Sequence, residues 1–207
     1  MTLEDLFSTF SDSSNSRLPM AEADVSFFPS FYSLDQAHEL FSSLRKSTEW
    51  KAVQISVWGK RVMQPRLVCW HGDPGATYKY SGVRFFPEPW TDTLQLVREK
   101  VERVANTTFN SVLLNLYRDQ NDSMGWHSDD EPELGDRPTI ASLSLGATRD
   151  FLLRHKSRKD IPQVSLPLSS GSLLVMAGST QKYWAHSIRK ETLRIGPRIN
   201  LTFRKIV

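Results

Sequence analysis

In Gly125-Trp126-His127-Ser128-Asp129-Asp130 a histidine and a carboxylate stand two residues apart, and extended backbone turns both side chains to one face. A second histidine follows far downstream, in Lys182-Tyr183-Trp184-Ala185-His186-Ser187. Two imidazoles and one carboxylate on one face of an iron ion leave three coordination positions open, enough for a bidentate co-substrate and dioxygen. Zinc accepts the same donors, and such a zinc centre ordinarily hydrolyses its substrate. Taken alone, His-x-Asp also fits a surface histidine beside an acidic turn, so the pair needs support from the rest of the chain. The other histidines have no carboxylate in register and are expected at the surface: His38 on a helix, His71 in a Gly-Asp-Pro-Gly turn, His155 in a basic loop with Lys156, Arg158 and Lys159.

The support comes from the C-terminal segment. In Arg198-Ile199-Asn200-Leu201-Thr202-Phe203-Arg204, period two puts Arg198, Asn200, Thr202 and Arg204 on one face and Ile199, Leu201 and Phe203 on the other. An edge strand with a solvated polar face would alternate in the same way. Two guanidinium forks on one face, however, suit a small dicarboxylate, because arginine grips carboxylates through paired hydrogen bonds. The compound 2-oxoglutarate has one carboxylate to chelate iron and another to anchor. Asn115 and Tyr117 likewise share a strand face where a core would carry apolar groups.

With these residues in place the chain resembles the AlkB family of nucleic-acid dealkylases. The resemblance runs from about Phe27 to Val207 through Asn-x-Tyr at Asn115 and Tyr117, His-x-Asp at His127 and Asp129, the distal His186, and Arg-x-Asn-x-Thr-x-Arg ending at Arg204. It implies an α+β fold with a double-stranded β-helix (jelly-roll) core, flanking N-terminal helices and nucleotide-recognition hairpins. It also implies an Fe(II)-dependent dioxygenase with His127, Asp129 and His186 as ligands, 2-oxoglutarate as co-substrate and O2 as oxidant. Asn115, Tyr117, Arg198, Asn200, Thr202 and Arg204 would surround 2-oxoglutarate, with Arg198 at the distal carboxylate and Arg204 near the iron. The implied reaction is oxidative demethylation of 1-methyladenine and 3-methylcytosine, releasing formaldehyde, with succinate and CO2 formed from 2-oxoglutarate.

Within the family, three segments are similar to the branch acting on double-stranded DNA: Thr77 to Gly82, Val57 to Lys60, and Gly146 to Phe151 leading into Arg154-His155-Lys156. By this resemblance Tyr80 stacks on a flipped base with the His127 ring on its other side, and Tyr78 and Glu131 bond the base edge. Trp58, at a hairpin tip beside Gly59, would wedge into the gap left in the duplex, although a core position also suits a tryptophan. Lys60, Arg61, Arg66, Lys156, Arg158 and Lys159 are candidates for backbone phosphates. Single-stranded DNA or RNA is the alternative substrate, and a non-catalytic nucleic-acid binder with a structural metal is the alternative from another class.

These side chains need a scaffold. Ser33 and Gln36 form a capping box before the apolar stripe Leu34, Ala37, Leu40, Phe41 and Leu44. A second helix over about Thr91 to Val104 follows Pro87 and Pro89, with Leu94, Val97, Val101 and Val104 on one face. Beyond residue 110 the period changes to two, predicting strands at Ser111–Tyr117, Ile140–Leu145, Phe151–Arg154, Ser172–Met176 and Arg198–Arg204. The polar segment 1–22 reads as a flexible arm, with Leu3, Leu6, Phe7 and Phe10 at the spacing of a short docking helix. Residues 23–207 then form one dioxygenase domain, with a recognition lid over about 50–84.

A chain of 207 residues, 39% hydrophobic, can bury one core, and a net charge of +3 suits a polyanionic partner without requiring one. The one cysteine, Cys69, excludes an internal disulfide and a thiolate cluster. With no secretory segment or bilayer-length apolar run in view, an intracellular monomer is expected, cytoplasmic in a bacterium or nuclear in a eukaryote, acting on alkylated DNA without a membrane partner.

Overall fold

The computed structural model describes residues 16–57, 60–80 and 83–207. The Leu3–Phe10 spacing and Trp58 lie outside the described residues, as do the side chains of Tyr78 and Tyr80.

The N-terminal third comprises β1 (Ser16–Arg17), β2 (Asp24–Phe28), α1 (Leu34–Ser47), β3 (Lys51–Val57), β4 (Lys60–Gly72), β5 (Tyr78–Tyr80), β6 (Val83–Phe85) and α2 (Asp92–Ala105). Both helices start where their caps dictate. Ser33 Oγ accepts from Gln36 N–H while Gln36 Oε1 accepts from Ser33 N–H, each at 3.2 Å, and Thr91 Oγ1 accepts from Leu94 N–H at 3.3 Å. The second helix ends at Asn106 in the left-handed region, φ 49°.

The remainder is mostly strand: β7 (Ser111–Tyr117), β8 (Met124–His127), β9 (Ile140–Gly146), β10 (Arg149–His155), β11 (Val164–Leu168), β12 (Leu173–Ala177), the short helix α3 (Thr180–Tyr183), β13 (Trp184–Ile188) and β14 (Arg198–Arg204). Among the described residues, one sheet runs β1-β2-β12-β9-β14-β7-β4-β3 and a second runs β11-β10-β13-β8, with β5 and β6 forming a separate hairpin. Ladder partners are antiparallel throughout. This is the jelly-roll arrangement.

Two apolar layers hold it together. Leu40 and Leu44 of α1 and Leu94, Val97 and Val101 of α2 pack on the outer face of the larger sheet, against Val112, Leu114, Leu143, Ile199, Leu201 and Phe203. The inner face closes on the smaller sheet through Ile140, Leu174, Met176, Phe151, Leu153, Leu168, Trp184 and Ile188. The strand β14 is therefore central rather than an edge: it pairs with β7 on one side and β9 on the other, and its polar face points between the sheets. Leu201 is fully buried, so Leu201→Ala is expected to cost about 2–5 kcal/mol, read as a lowered urea midpoint at unchanged m-value.

Several expectations change. Residues 16–22 of the expected arm join the fold: Ser16 and Arg17 pair with Phe27 and Ser26, and Ala21 O accepts from Trp184 Nε1 at 2.9 Å. His71 and His155 are buried, not superficial, because partners distant in sequence satisfy their polar atoms. His71 Nδ1 lies 2.7 Å from Pro89 O, and His155 Nε2 lies 3.0 Å from Glu22 Oε2. Gly171, with φ 82°, makes the tight turn before β12, where a Cβ would sit 2.5 Å from Tyr32 O. Among the described residues no helix is long and apolar enough to cross a membrane.

Candidate active site

Strand register brings the two histidines together. His127 on β8 is the ladder partner of His186 on β13, and their ring centroids are 4.2 Å apart. Asp129 lies just beyond β8 in a bend rather than in the strand itself, yet the carboxylate turns inward and the residue is 2% exposed. The three donor sets lie within 4.8 Å of one another, close enough to hold one metal ion. His127 Nδ1 is 2.9 Å from Gly125 O, which leaves Nε2 for a metal. His186 stacks on Phe151, and its Nε2 faces Asp129 Oδ2 at 3.8 Å.

Burial and local charge prepare these groups for a cation. Desolvation pushes His186 down to about 3, helped by the neighbouring His127, and it lowers His127 as well, so both imidazoles are neutral and free to donate electron pairs. Desolvation acts to raise Asp129, but the charge and hydrogen bond of Arg204 oppose it, and the carboxyl stays below its usual range. The Arg204 guanidinium pairs directly with Asp129 Oδ1.

The inner face of the larger sheet supplies the rest of the pocket. Asn115, Tyr117, Arg198, Asn200, Thr202 and Arg204 line it together with Arg66, His127, Asp129 and His186. Arg198 is 1% exposed; Nη2 donates to Ser144 Oγ at 2.9 Å, while Nε and Nη1 are buried without a protein partner. Its guanidinium lies 5.2 Å from the Tyr117 ring centre, and burial lowers its pKa to about 10. A buried cation with two orphaned donors fits a carboxylate, and the neutral imidazoles with one anion fit a divalent metal. Asn200 and Thr202 are engaged internally: Thr202 Oγ1 donates to Asn200 Oδ1 at 2.8 Å, and Asn200 Nδ2 donates to Ser142 Oγ at 2.8 Å.

Arg66 departs from its expected place among phosphate-binding residues. Its neighbours Leu67 and Cys69 pack into the helix-side layer, so period two turns Arg66 to the inner face. It is buried, its Nε donates to Asn115 Oδ1 at 2.7 Å, and it lines the pocket. Lys156, another phosphate candidate, has its ammonium on Asp130 Oδ2 at 2.9 Å and Gln181 O at 2.7 Å. Arg158 is exposed and pairs with Asp160 at 2.8 Å. Glu131 precedes a short 3-10 turn at Pro132–Leu134; its Oε2 is buried without a partner, and it stands outside the residues lining the pocket.

Ser142 and Ser144 escaped the sequence reading, although their alternation in Ala141-Ser142-Leu143-Ser144-Leu145 puts both on the inner face. Arg149, within the Gly146–Phe151 segment, is 1% exposed and braces two loops beside Tyr117, donating to Asp122 O at 3.0 Å and to Arg189 O.

A sheet sandwich with a His-Asp-His cluster at one end of the pocket and a buried arginine at the other defines an iron- and 2-oxoglutarate-dependent oxygenase. The model of the 2OG-Fe(II) oxygenase superfamily matches residues 24–204. The chain is 40% identical over 196 residues to mouse alpha-ketoglutarate-dependent dioxygenase alkB homolog 3, covering 91% of this chain and 68% of the relative. It is 43% identical over 181 residues to human DNA oxidative demethylase ALKBH2, covering 83% and 69%, and 36% identical over 212 residues to Arabidopsis thaliana DNA oxidative demethylase ALKBH2, covering 89% and 67%. The solved structure of OsALKBH1 shares the fold, with TM-score 0.61 at 17% identity over 93% of this chain and all of that one. The chain belongs to the AlkB family. It is a dioxygenase using Fe(II), 2-oxoglutarate and O2, which sets aside both the hydrolytic zinc centre and the non-catalytic binder.

Proposed function

We propose that this enzyme removes methyl groups from 1-methyladenine and 3-methylcytosine in DNA, double-stranded DNA being preferred. The observation that carries the reading is the pocket itself, lined by both the compact His127-Asp129-His186 cluster and the buried Arg198. When bound, iron would supply the activation of O2, with 2-oxoglutarate as the co-reductant: one oxygen atom would oxidise 2-oxoglutarate to succinate and CO2, and the other would hydroxylate the N-methyl carbon. His127, Asp129 and His186 hold the metal. Arg198 takes the distal carboxylate, Tyr117 flanks it, and Asn200 and Thr202 keep the sheet face rigid around it. Arg204 fixes Asp129.

Relatives named DNA oxidative demethylases support the substrate class. A base must leave the stack before its N-methyl group can reach such a buried pocket, and a methyl that blocks pairing lowers that cost. The recognition lid is residues 50–84, comprising the β3–β4 hairpin and the β5–β6 hairpin. There Tyr80 stacks on the flipped base opposite His127, Tyr78 and Glu131 bond its edge, and Trp58 fills the gap in the duplex. Arg61, exposed on β4, and Lys159 contact phosphates.

The test supplies Fe(II), 2-oxoglutarate and ascorbate with duplex and single-stranded oligonucleotides carrying each lesion, read by mass spectrometry. Each lesion loses the mass of one CH2 as N–CH3 becomes N–H, faster in duplex. Trp58→Ala reduces the duplex preference about tenfold, as loss of one stacking contact of about 1–3 kcal/mol implies. Unchanged masses overturn the reaction, and a single-strand preference overturns the duplex assignment.

A further inference from the structure

Asp129 is held at its main chain by a residue that does not line the pocket. Past the end of β8 no ladder partner serves the buried Asp129 N–H, and Gln181 Oε1 accepts it instead at 3.0 Å. Gln181 is 1% exposed, and its amide has one workable orientation, since reversal would set NH2 against N–H. The Nε2 end rests against Met176 Sδ at 3.5 Å.

The platform under Gln181 is itself pinned. It belongs to α3, where Thr180 Oγ1 donates to Ala177 O at 2.6 Å and accepts from Asp24 N–H at 2.9 Å. Ser179 Oγ donates to Glu22 O at 3.0 Å, so the chain just before β2 anchors the helix from the other side. Lys156 adds a second strap, joining Asp130 Oδ2 to Gln181 O. The bend carrying Asp129 is thus tied to α3 at two consecutive residues.

We propose that Gln181 is a positioning residue of the metal centre, its amide fixing the Asp129 backbone so that one carboxylate oxygen stays turned toward His186 while Arg204 holds the other. This rests on the reading of His127, Asp129 and His186 as the metal ligands. Arg204 pairs with Asp129 Oδ1, and Oδ2 faces His186 Nε2 at 3.8 Å. Freed from Gln181, the bend rotates toward the guanidinium and the carboxylate turns from the metal. Supporting groups of this kind typically govern metal affinity by about 10–100-fold.

The test uses the full chain and Co(II), following affinity, the ligand-field absorption spectrum and the melting temperature of metal-free protein. Gln181→Met keeps the side chain's length but lacks the acceptor; it is expected to weaken Co(II) binding about 10–100-fold and to alter the spectrum. Gln181→Glu keeps an acceptor oxygen and is expected to stay within about threefold of wild type, well below that range. Wild-type affinity and spectrum in Gln181→Met overturn the proposal, and so does equal weakening in both variants, which marks a packing role. Hydrogen exchange in metal-free wild-type protein needs no variant: the Asp129 amide is expected to be protected, and exchange at the rate of an open loop overturns the bond. Asp129→Asn separates the two readings. If it binds Co(II) like wild type, the ligand assignment falls and this inference with it; if it loses Co(II) while Gln181→Met does not, only the positioning role falls.

Discussion

Arg198→Met is expected to weaken 2-oxoglutarate binding about 10²- to 10³-fold while leaving metal affinity within a few-fold of wild type. Removing one member of a buried, hydrogen-bonded charge pair costs about 2–5 kcal/mol, and each 1.4 kcal/mol is tenfold. Arg198 is the buried cation whose Nε and Nη1 await an acceptor, and Ser144 uses only Nη2. Without a carboxylate the charge is poorly compensated, as its depressed pKa of about 10 reflects. Methionine fills similar volume without charge, so the co-substrate-free protein keeps or raises its melting temperature, since exchanging uncompensated buried charge for apolar volume is often neutral or stabilising. Calorimetric titration with 2-oxoglutarate alongside thermal unfolding reads both effects. Unchanged affinity would remove Arg198 from the co-substrate site, and a large drop in melting temperature would make it a structural residue instead.

Asp129→Asn is expected to weaken Fe(II) and Co(II) binding by about 10³-fold or more, roughly 4 kcal/mol, and to abolish turnover. Both imidazoles are neutral, so Asp129 is the anionic donor among the three. The substitution keeps the shape and the N–H bond to Gln181 but removes that charge. It also strands the Arg204 guanidinium, whose pairing with Asp129 Oδ1 is lost, so a cation entering the pocket meets net positive charge. Metal content after dialysis and Co(II) titration measure the loss. Retention of stoichiometric metal would show that the two histidines bind it with a different third ligand.

The parts of this molecule legible in the sequence are those where burial differs between two faces. Alternation in Arg198–Arg204 and Ser111–Tyr117 predicted both strands with their observed bounds and assigned Ile199, Leu201 and Phe203 to the opposite side from Arg198 and Asn200. Strands β8 and β13 carry His127 and His186 but have no such signal. Trp184–Ile188 is buried at every residue, and Met124–His127 is only four residues long. The burial of His155 depends on Glu22, and that of Arg66 on Asn115; neither partner is visible to local periodicity. Gln181 was silent for the same reason, since its role exists only once α3 stands over the bend at Asp129.

The pocket draws its two ends from different sheets: His127 and His186 from the four-stranded one, Tyr117 and Arg198 from the eight-stranded one. Packed sheets of this kind stand about 10 Å apart, a distance maintained by interlocking apolar side chains such as Leu153, Leu174 and Met176. The sandwich therefore acts as a caliper. On the ligand assignments proposed above, a diacid would reach from the His127 and His186 jaw to the Arg198 guanidinium on the other, so the fold would gauge the length of its co-substrate. Residues that touch neither metal nor acid set the gauge.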